Sequence, residues 1–468
     1  MEPHLGLRKH KNAMAKKIIH DMNTDMQKRR TITSFINNEL RQFSLYVCYH
    51  RAIPSLVDGF KPSQRKAFHV LRGKKDFVKV QAVAGKMISE ANYHHGDASA
   101  SETVSRMTQS FTGSNNVPAF VGKGSFGSKF VKEASAPRYV FVKPNPDFYS
   151  LFNDFELCEP DDDPENPEPR YFLPVVPTIL MNGVSGIAVG FATRIFPYRV
   201  LDIVANVRAV LAGRSQRMMA PFFSGYSGEI TWDGERHVMH GSYEATGPNT
   251  LRITEVPVSY DREQYNALLA KLEESSHISS SRDVSKTGWD IRVTLPARGK
   301  WKLPTARSKG TPDLGGKLGL TCPLNENITV IDENGELAVF PSPHDLIARF
   351  VDFRLKVYGG RIRRRLADIR DDAALVKAKI RFVQLMSGVD FRKVTRASIA
   401  ETLRADGFDK DHMESCLRMP ATNLNSNYID EKRKKLAELK GMFEYYKRVT
   451  PEELYKIDLD EVERRFSC

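Results

Sequence analysis

A strict apolar repeat near the carboxyl end constrains this chain more than any other feature. Ile362, Leu366, Ile369, Ala373, Val376, Ile380 and Val383 follow one another at alternating spacings of four and three. That is the heptad seam of a helix burying one face along its length against another helix. A matching seam, Ile429, Leu436, Leu439, Phe443 and Tyr446, comes later. Two such helices separated by about 40 residues predict an antiparallel coiled-coil arm with a small globular tip. Two core helices of a bundle are the alternative. Length favours the arm, because about 40 helical residues at 1.5 Å each reach roughly 60 Å. Ser342-Pro343-His344-Asp345 supplies the start, with a cap, a first-turn proline and an early acid.

The rest reads as three further segments, making an α+β multidomain chain. Residues 1–50 open with Arg8, Lys9, Lys11, Lys16 and Lys17 and continue to Lys28, Arg29 and Arg30. They form a basic arm entering a helix whose apolar positions are Phe35, Leu40 and Phe43. In residues 51–150, Pro62 is set for a first helical turn, and Val104, Met107 and Phe111 keep helical spacing. Three short helices followed by a Gly-rich hairpin predict a winged helix-turn-helix. Residues 151–341 begin with an acidic stretch, 160–169, that prolines break into a solvated linker. Strand signals follow at 228–232, 251–254 and 290–295, with helices predicted over 200–211 and 262–274. Asn334-Gly335 between two β-branched runs predicts a hairpin. Residues 342–468 are the arm and its end.

Charge narrows the partners. Seventy basic residues face 57 acidic ones, for a net charge of +13, which suits a polyanion such as nucleic acid. The five cysteines are scattered and form no CxxC pair. They indicate neither a zinc site nor a disulfide framework, so a reducing cytoplasm is the expected compartment. No stretch approaches about 18 continuous apolar residues, so no membrane partner is expected.

Chemistry concentrates at Tyr139, in Ala134-Ser135-Ala136-Pro137-Arg138-Tyr139-Val140-Phe141. A phenol is a weak nucleophile at neutral pH, since its pKa is about 10. Cations that stabilise the phenolate and the transition-state charge make it useful against a phosphodiester. The resulting phosphotyrosine ester stores the energy of the broken linkage, so the strand can be resealed. Arg138 is a fixed cation next to the phenol, and His94 and His95 are candidates for proton handling. Alone, an Arg-Tyr pair is more often a half-buried strand residue beside a surface charge. Gly122-Lys123-Gly124-Ser125-Phe126-Gly127 matches GxGxxG, but prolines 144 and 146 break the helix that a dinucleotide fold requires. It reads as a tight loop that lets a phosphate or backbone come close.

The run from Arg51 through Val57-Asp58-Gly59-Phe60-Lys61-Pro62 to Lys66 resembles the opening motif of the breakage-reunion region of type IIA DNA topoisomerases. Tyr93-His94-His95-Gly96-Asp97, Gly113-Ser114-Asn115-Asn116, Gly124-Ser125-Phe126-Gly127 and Ala136-Pro137-Arg138-Tyr139 follow in the family order. Pro174-Val175-Val176-Pro177 and Asn182-Gly183-Val184-Ser185-Gly186-Ile187 continue it. The resemblance runs from about residue 30 to the end and is nearer the eukaryotic enzymes than bacterial gyrase. It implies a winged-helix domain, an α/β tower domain and a coiled-coil arm ending in a globular dimer gate.

By position, the resemblance makes Tyr139 the nucleophile, Arg138 its neighbouring cation and His95 an assistant in the site. Arg51 and Arg65 would contact or polarise the scissile phosphate, while Lys61, Lys66 and His94 would lie on DNA. Ile187 would be an apolar wedge between base pairs, although a lone isoleucine in such a run is more often core. The family also needs an ATPase module and an acidic Toprim module that binds Mg²⁺, and neither signature is found here. ATP and Mg²⁺ are therefore expected through partner subunits. Double-stranded DNA, a second copy of the chain, and the ATPase and Toprim subunits are the expected partners. A noncatalytic winged-helix DNA-binding scaffold is the rival reading.

Overall fold

The computed structural model describes residues 31–299, 301, 303, 314–390 and 393–467. The basic arm expected at the amino end lies for the most part outside the described residues. The chain divides into two compact units, Arg354–Asp458 and the remainder.

The first unit begins with helical turns from Ile32 to Ala52, in which π-helical stretches Ile36–Leu40 and Cys48–Ala52 flank Arg41–Val47. Three helices follow, Pro62–Leu71, Val80–Ser89 and Asp97–Thr108. The third ends before Phe111, which lies in a turn, so helical spacing there overran the helix. Pro62 starts its helix as expected, and the Gln64 side chain accepts the Lys61 N–H at 2.9 Å. Beneath it Phe68 packs against Phe152 and Phe172, each at 4.8 Å between ring centroids, and stacks on Tyr149 at 4.2 Å. This aromatic cluster fixes the helix that carries the cationic motif. A small antiparallel sheet, with Phe141–Pro144 between Val78–Lys79 and Phe120–Lys123, covers the next two helices.

Beyond it, Ser280–Asp283, Ile291–Thr294, Thr250–Glu255 and Ser242–Ala245 form a four-stranded sheet in that order. Leu251, Ile253, Ile291 and Val293 face Tyr265 and Leu269 of the helix Arg262–Glu274 in one buried core. Helices Val200–Leu211 and Arg262–Glu274 span the residues read from sequence. The Ile328–Ile331 and Leu337–Phe340 hairpin forms too, turning through residues 332–336 with Gly335 at φ +80°. All pairings between these strands are antiparallel. The region is therefore α+β in the strict sense, not α/β.

The acidic stretch 160–169 is not a solvated linker. A bridge between Pro160 and Pro169 closes it, and Arg170 N–H donates to Glu159 O at 3.0 Å. Asp161 accepts from Asp163 N–H and from the Asn166 amide, and Glu168 is buried.

The long helix is Pro343–Met386, 44 residues or about 66 Å, and the second unit takes it up from Arg354. The later seam lies on Ser426–Arg448. Between them, Arg396–Ala405 and Lys410–Leu417 pack Leu403 and Cys416 against Phe382, Val383 and Met386. Among the described residues no helix is long and apolar enough to cross a membrane.

Candidate functional site

Tyr139 stands at the end of a tight turn, its N–H donating to Ala136 O at 2.9 Å, and is 66% exposed. The amides of Gln81 and Val80 donate to Pro137 O and Val140 O at 3.2 and 3.0 Å. These are first-turn donors of the Val80–Ser89 helix, groups without partners inside the helix. A helix start thus pins both sides of the Tyr139 turn. Val140, next in the chain, is buried, while Tyr139 at the end of the turn points into the open. The Arg138 guanidinium lies over the Tyr139 ring, 5.1 Å from its centroid, in a cation–π contact that puts a fixed positive charge beside the nucleophile candidate. Gly124, at φ +107°, lies so close that a Cβ there would sit 2.9 Å from Val140 Cγ1. Of the two reasons for a Gly-rich loop, close backbone packing is the one visible here.

The opening motif has a different architecture. Asp58 is fully buried and accepts from Arg65 Nε at 2.7 Å and Nη2 at 3.0 Å, and from the Phe60 and Phe172 amides at 3.0 and 3.1 Å. Burial alone would lower the Arg65 pKa, and the Asp58 carboxylate more than offsets it. Gly59, at φ +70°, brings the backbone so near Ile179 N that a Cβ would sit 2.7 Å away. Lys66 Nζ donates to Ala91 O at 2.6 Å, Asn166 Oδ1 at 2.8 Å and Glu168 Oε1 at 2.6 Å. Arg65 and Lys66 thus depart from the expectation of phosphate- and DNA-facing cations. Their charge is spent inside the fold: Arg65 on Asp58, seven residues before it in the same motif, and Lys66 on Glu168, 102 residues on, which sequence distance hides.

Arg51 and His94 are exposed, and His95 is half-buried with its ring edge-on to Tyr93 at 5.3 Å. Burial, then the positive charges of Arg51 and His94, holds the His95 pKa below its ordinary value. Burial pushes the His50 pKa down, Asp161 and Asp163 oppose the shift, and His95 and Lys66 add to it. His50 therefore joins the Arg51, His94 and His95 group. Its one sequence signal is its place directly before the motif arginine, which by itself distinguishes no role.

Lys61 points elsewhere, donating to Ser185 O at 2.7 Å. Burial and then Arg106 lower its pKa. Its partner belongs to the hairpin Val184–Ile187 with Ala192–Ile195, whose tip turns through an Ala188 N–H to Phe191 O bond of 2.8 Å. Ile187 is 86% exposed, so it is not a core residue, and Val189 and Phe191 are exposed beside it. Two asparagines from the family motifs brace this end. Asn182 exchanges hydrogen bonds with Val117 at 2.8 and 2.7 Å, and Asn116 donates to Met181 O and Phe222 O. These roles need partners remote in sequence.

Two groups emerge, Arg51 with the histidines, and Lys61 with the hairpin, while Tyr139 and Arg138 stand on their own turn. The described residues contain no group of three or more His, Cys, Asp or Glu side chains placed to hold a metal ion.

Residues 51–462 match the family described as the A subunit of DNA gyrase/topoisomerase IV. The DNA topoisomerase medium subunit of Enterobacteria phage T4 is 32% identical over 445 residues, covering 92% of this chain and 99% of that protein. DNA topoisomerase 2 of Trypanosoma brucei brucei is 30% identical over 466 residues, covering 94% of this chain and 37% of that one. In three dimensions the chain is similar to the Plasmodium falciparum topoisomerase II DNA-binding, cleavage and re-ligation domain. The TM-score is 0.82 at 26% identity, over 92% of this chain and 64% of that one. The chain thus spans nearly all of the phage relative and about a third of the trypanosome enzyme.

Proposed function

The chain belongs to the DNA gyrase/topoisomerase IV family, on the side of its A subunit, and from that premise we propose that it is the DNA breakage-reunion component of a heteromeric, ATP-dependent type II topoisomerase. The observation that carries this reading is the exposed Tyr139 phenol on an anchored turn with Arg138 beside it. The phenol oxygen attacks the phosphorus of a DNA phosphodiester and the P–O3′ bond breaks. A 5′-phosphotyrosine forms, and the 3′-oxygen leaves as a hydroxyl after taking up a proton. The phenol proton passes to a base, the role given to His95, whose lowered pKa keeps it neutral at physiological pH. Arg51 and Arg138 stabilise the charge that builds on phosphorus oxygens. Reversal reseals the strand.

Lys61 and His94 would meet DNA, and Ile187 would enter a base step, which its exposure allows. Arg65 acts from within, fixing the loop before Lys61, and Lys66 is internal in the same way. The helices and small sheet of residues 51–150 would serve as a winged-helix domain, and the sheets of 151–341 as a tower. The paired heptad helices of 342–468 would form an arm whose end makes a dimer gate, so that two copies each cut one strand. Mg²⁺ and ATP belong to this reaction class, and the carboxylates and ATPase that use them would arrive on partner subunits. The setting would be the cytoplasm, a host's if a phage encodes the chain.

Denaturant trapping with partner subunits and duplex DNA separates this enzyme from a noncatalytic scaffold. Wild type should yield a covalent adduct mapping to the Tyr139 peptide, and Tyr139→Phe should yield none at nearly unchanged DNA affinity. An adduct surviving in Tyr139→Phe would remove Tyr139 from the mechanism.

A further inference from the structure

The buried Lys66 ammonium has a role beyond packing. Its three contacts reach two separate segments: Ala91 O lies just before the histidine turn, while Asn166 Oδ1 and Glu168 Oε1 belong to the acidic loop. An ammonium has three donors, and here each meets an oxygen. The same Asn166 oxygen lies 3.3 Å from Asn92 Nδ2. Asn92 is one of only two described non-glycine residues with positive φ, at +51°. That left-handed residue sets the direction in which the chain leaves for Tyr93, His94 and His95. Asparagine is among the few non-glycine residues that adopt this region, and here its side-chain amide is also tied to Asn166 on the acidic loop. Ala91 is fully buried and Tyr93 nearly so, whereas His94 is exposed and His95 half-buried. The turn therefore swings from a fixed anchor to an open face over a few residues.

We propose that the acidic loop 159–170, acting through Lys66, Asn166 and Glu168, is a clamp that positions the histidine turn for the breakage reaction. Asn166 and Glu168 are positioning residues, touching neither the phosphate nor the phenol. The proposal rests on the reading of His95 as part of the site, but the clamp itself has a physical signature independent of catalysis. Pulling the loop away would free Asn92 and leave Lys66 on Ala91 O without its two loop partners, while the Tyr139 turn stays on its own helix start.

The test uses the full chain carrying Asn166→Ala, which leaves the Lys66–Glu168 ion pair in place and limits the risk of misfolding. Glu168→Gln is the second variant, keeping an oxygen for Lys66 while removing the charge. Amide hydrogen exchange at residues 91–97 should accelerate by about tenfold in Asn166→Ala, with the Val200–Leu211 helix unchanged. With partner subunits, the maximal cleavage rate should fall by about tenfold while the KM for duplex DNA stays within about twofold. Unchanged exchange at 91–97, or a uniform rise across the unit, would overturn the clamp. So would faster exchange at 91–97 with an unaltered cleavage rate. If wild type itself forms no covalent adduct with its partners, the functional reading fails, while the exchange result still decides whether the clamp exists.

Discussion

The Tyr139 turn and the Asp58 loop both place a cation beside a sharp bend, and they use it in opposite ways. At Tyr139 the turn is held by backbone hydrogen bonds, its own and those of a helix start, leaving the phenol and Arg138 to face outward. At Asp58 the carboxylate is closed on all sides by Arg65 and two amides. One region keeps its polar groups available, and the other exhausts them to fix where the neighbouring Lys61 stands. Residue type does not separate a working cation from a structural one. The presence of a buried counter-charge does.

The sharpest way to break this comparison is Arg65→Met. Removing one partner strands Asp58 as an unpaired buried carboxylate, and such losses are typically about 3–5 kcal/mol. Chemical denaturation should show a loss of that order, whereas Arg138→Met should change stability by no more than about 0.5 kcal/mol. Equal stability of the two variants would show that Arg65 is not structural.

Gly186→Ala should come next. An added Cβ would sit 2.1 Å from Ala52 O and 3.3 Å from Lys61 Nζ, so the hairpin or the Cys48–Ala52 turn must move. A stability loss of roughly 1–3 kcal/mol is expected. Thermal melting checks it, and an unchanged melting temperature would mean the hairpin shifts without strain.

Much of this was legible in the sequence where local chemistry decides. Helix Arg262–Glu274 begins at Asp261, whose side chain accepts the Gln264 amide at 2.8 Å, and its pattern of apolar residues does the rest. The heptad repeat likewise marked Pro343–Met386. Long-range partners were not legible. Glu168 is 102 positions from Lys66, so a proline-rich acidic run reads as linker when it closes around a buried lysine. Ile187 shows the limit of composition from the other side: by itself an apolar residue among glycines reads as core, and only the resemblance made it a wedge, while the structure leaves it exposed at the hairpin tip.

A smaller effect concerns the histidines. Burial first, and then Arg51 and His94, depress the His95 pKa, so the folded chain binds fewer protons there than the unfolded one. That contribution to stability is complete above the unfolded value of about 6.5 and is lost as pH falls toward the folded pKa. Arg51→Ala removes one of the opposing charges. Its His95 resonance should titrate at higher pH than in wild type, by less than about one unit. No displacement would separate Arg51 from His95 electrostatically.

Ile187→Ala should have the smallest effect on the folded protein, and there lies its use. A side chain 86% exposed has almost no burial to lose, so unfolding free energy should stay within about 0.5 kcal/mol of wild type. The neighbouring Gly186→Ala, one residue away but facing Ala52 O, should be clearly worse. If Ile187 enters a base step, fluorescence energy transfer across a labelled duplex should show less bending in Ile187→Ala at saturating protein, because fewer apolar atoms unstack the step. Equal bending with equal stability would leave the exposed isoleucine without a role in deforming DNA. A stability loss as large as that of Gly186→Ala would show that the hairpin tip is covered in solution, and the contrast between the two neighbours would collapse.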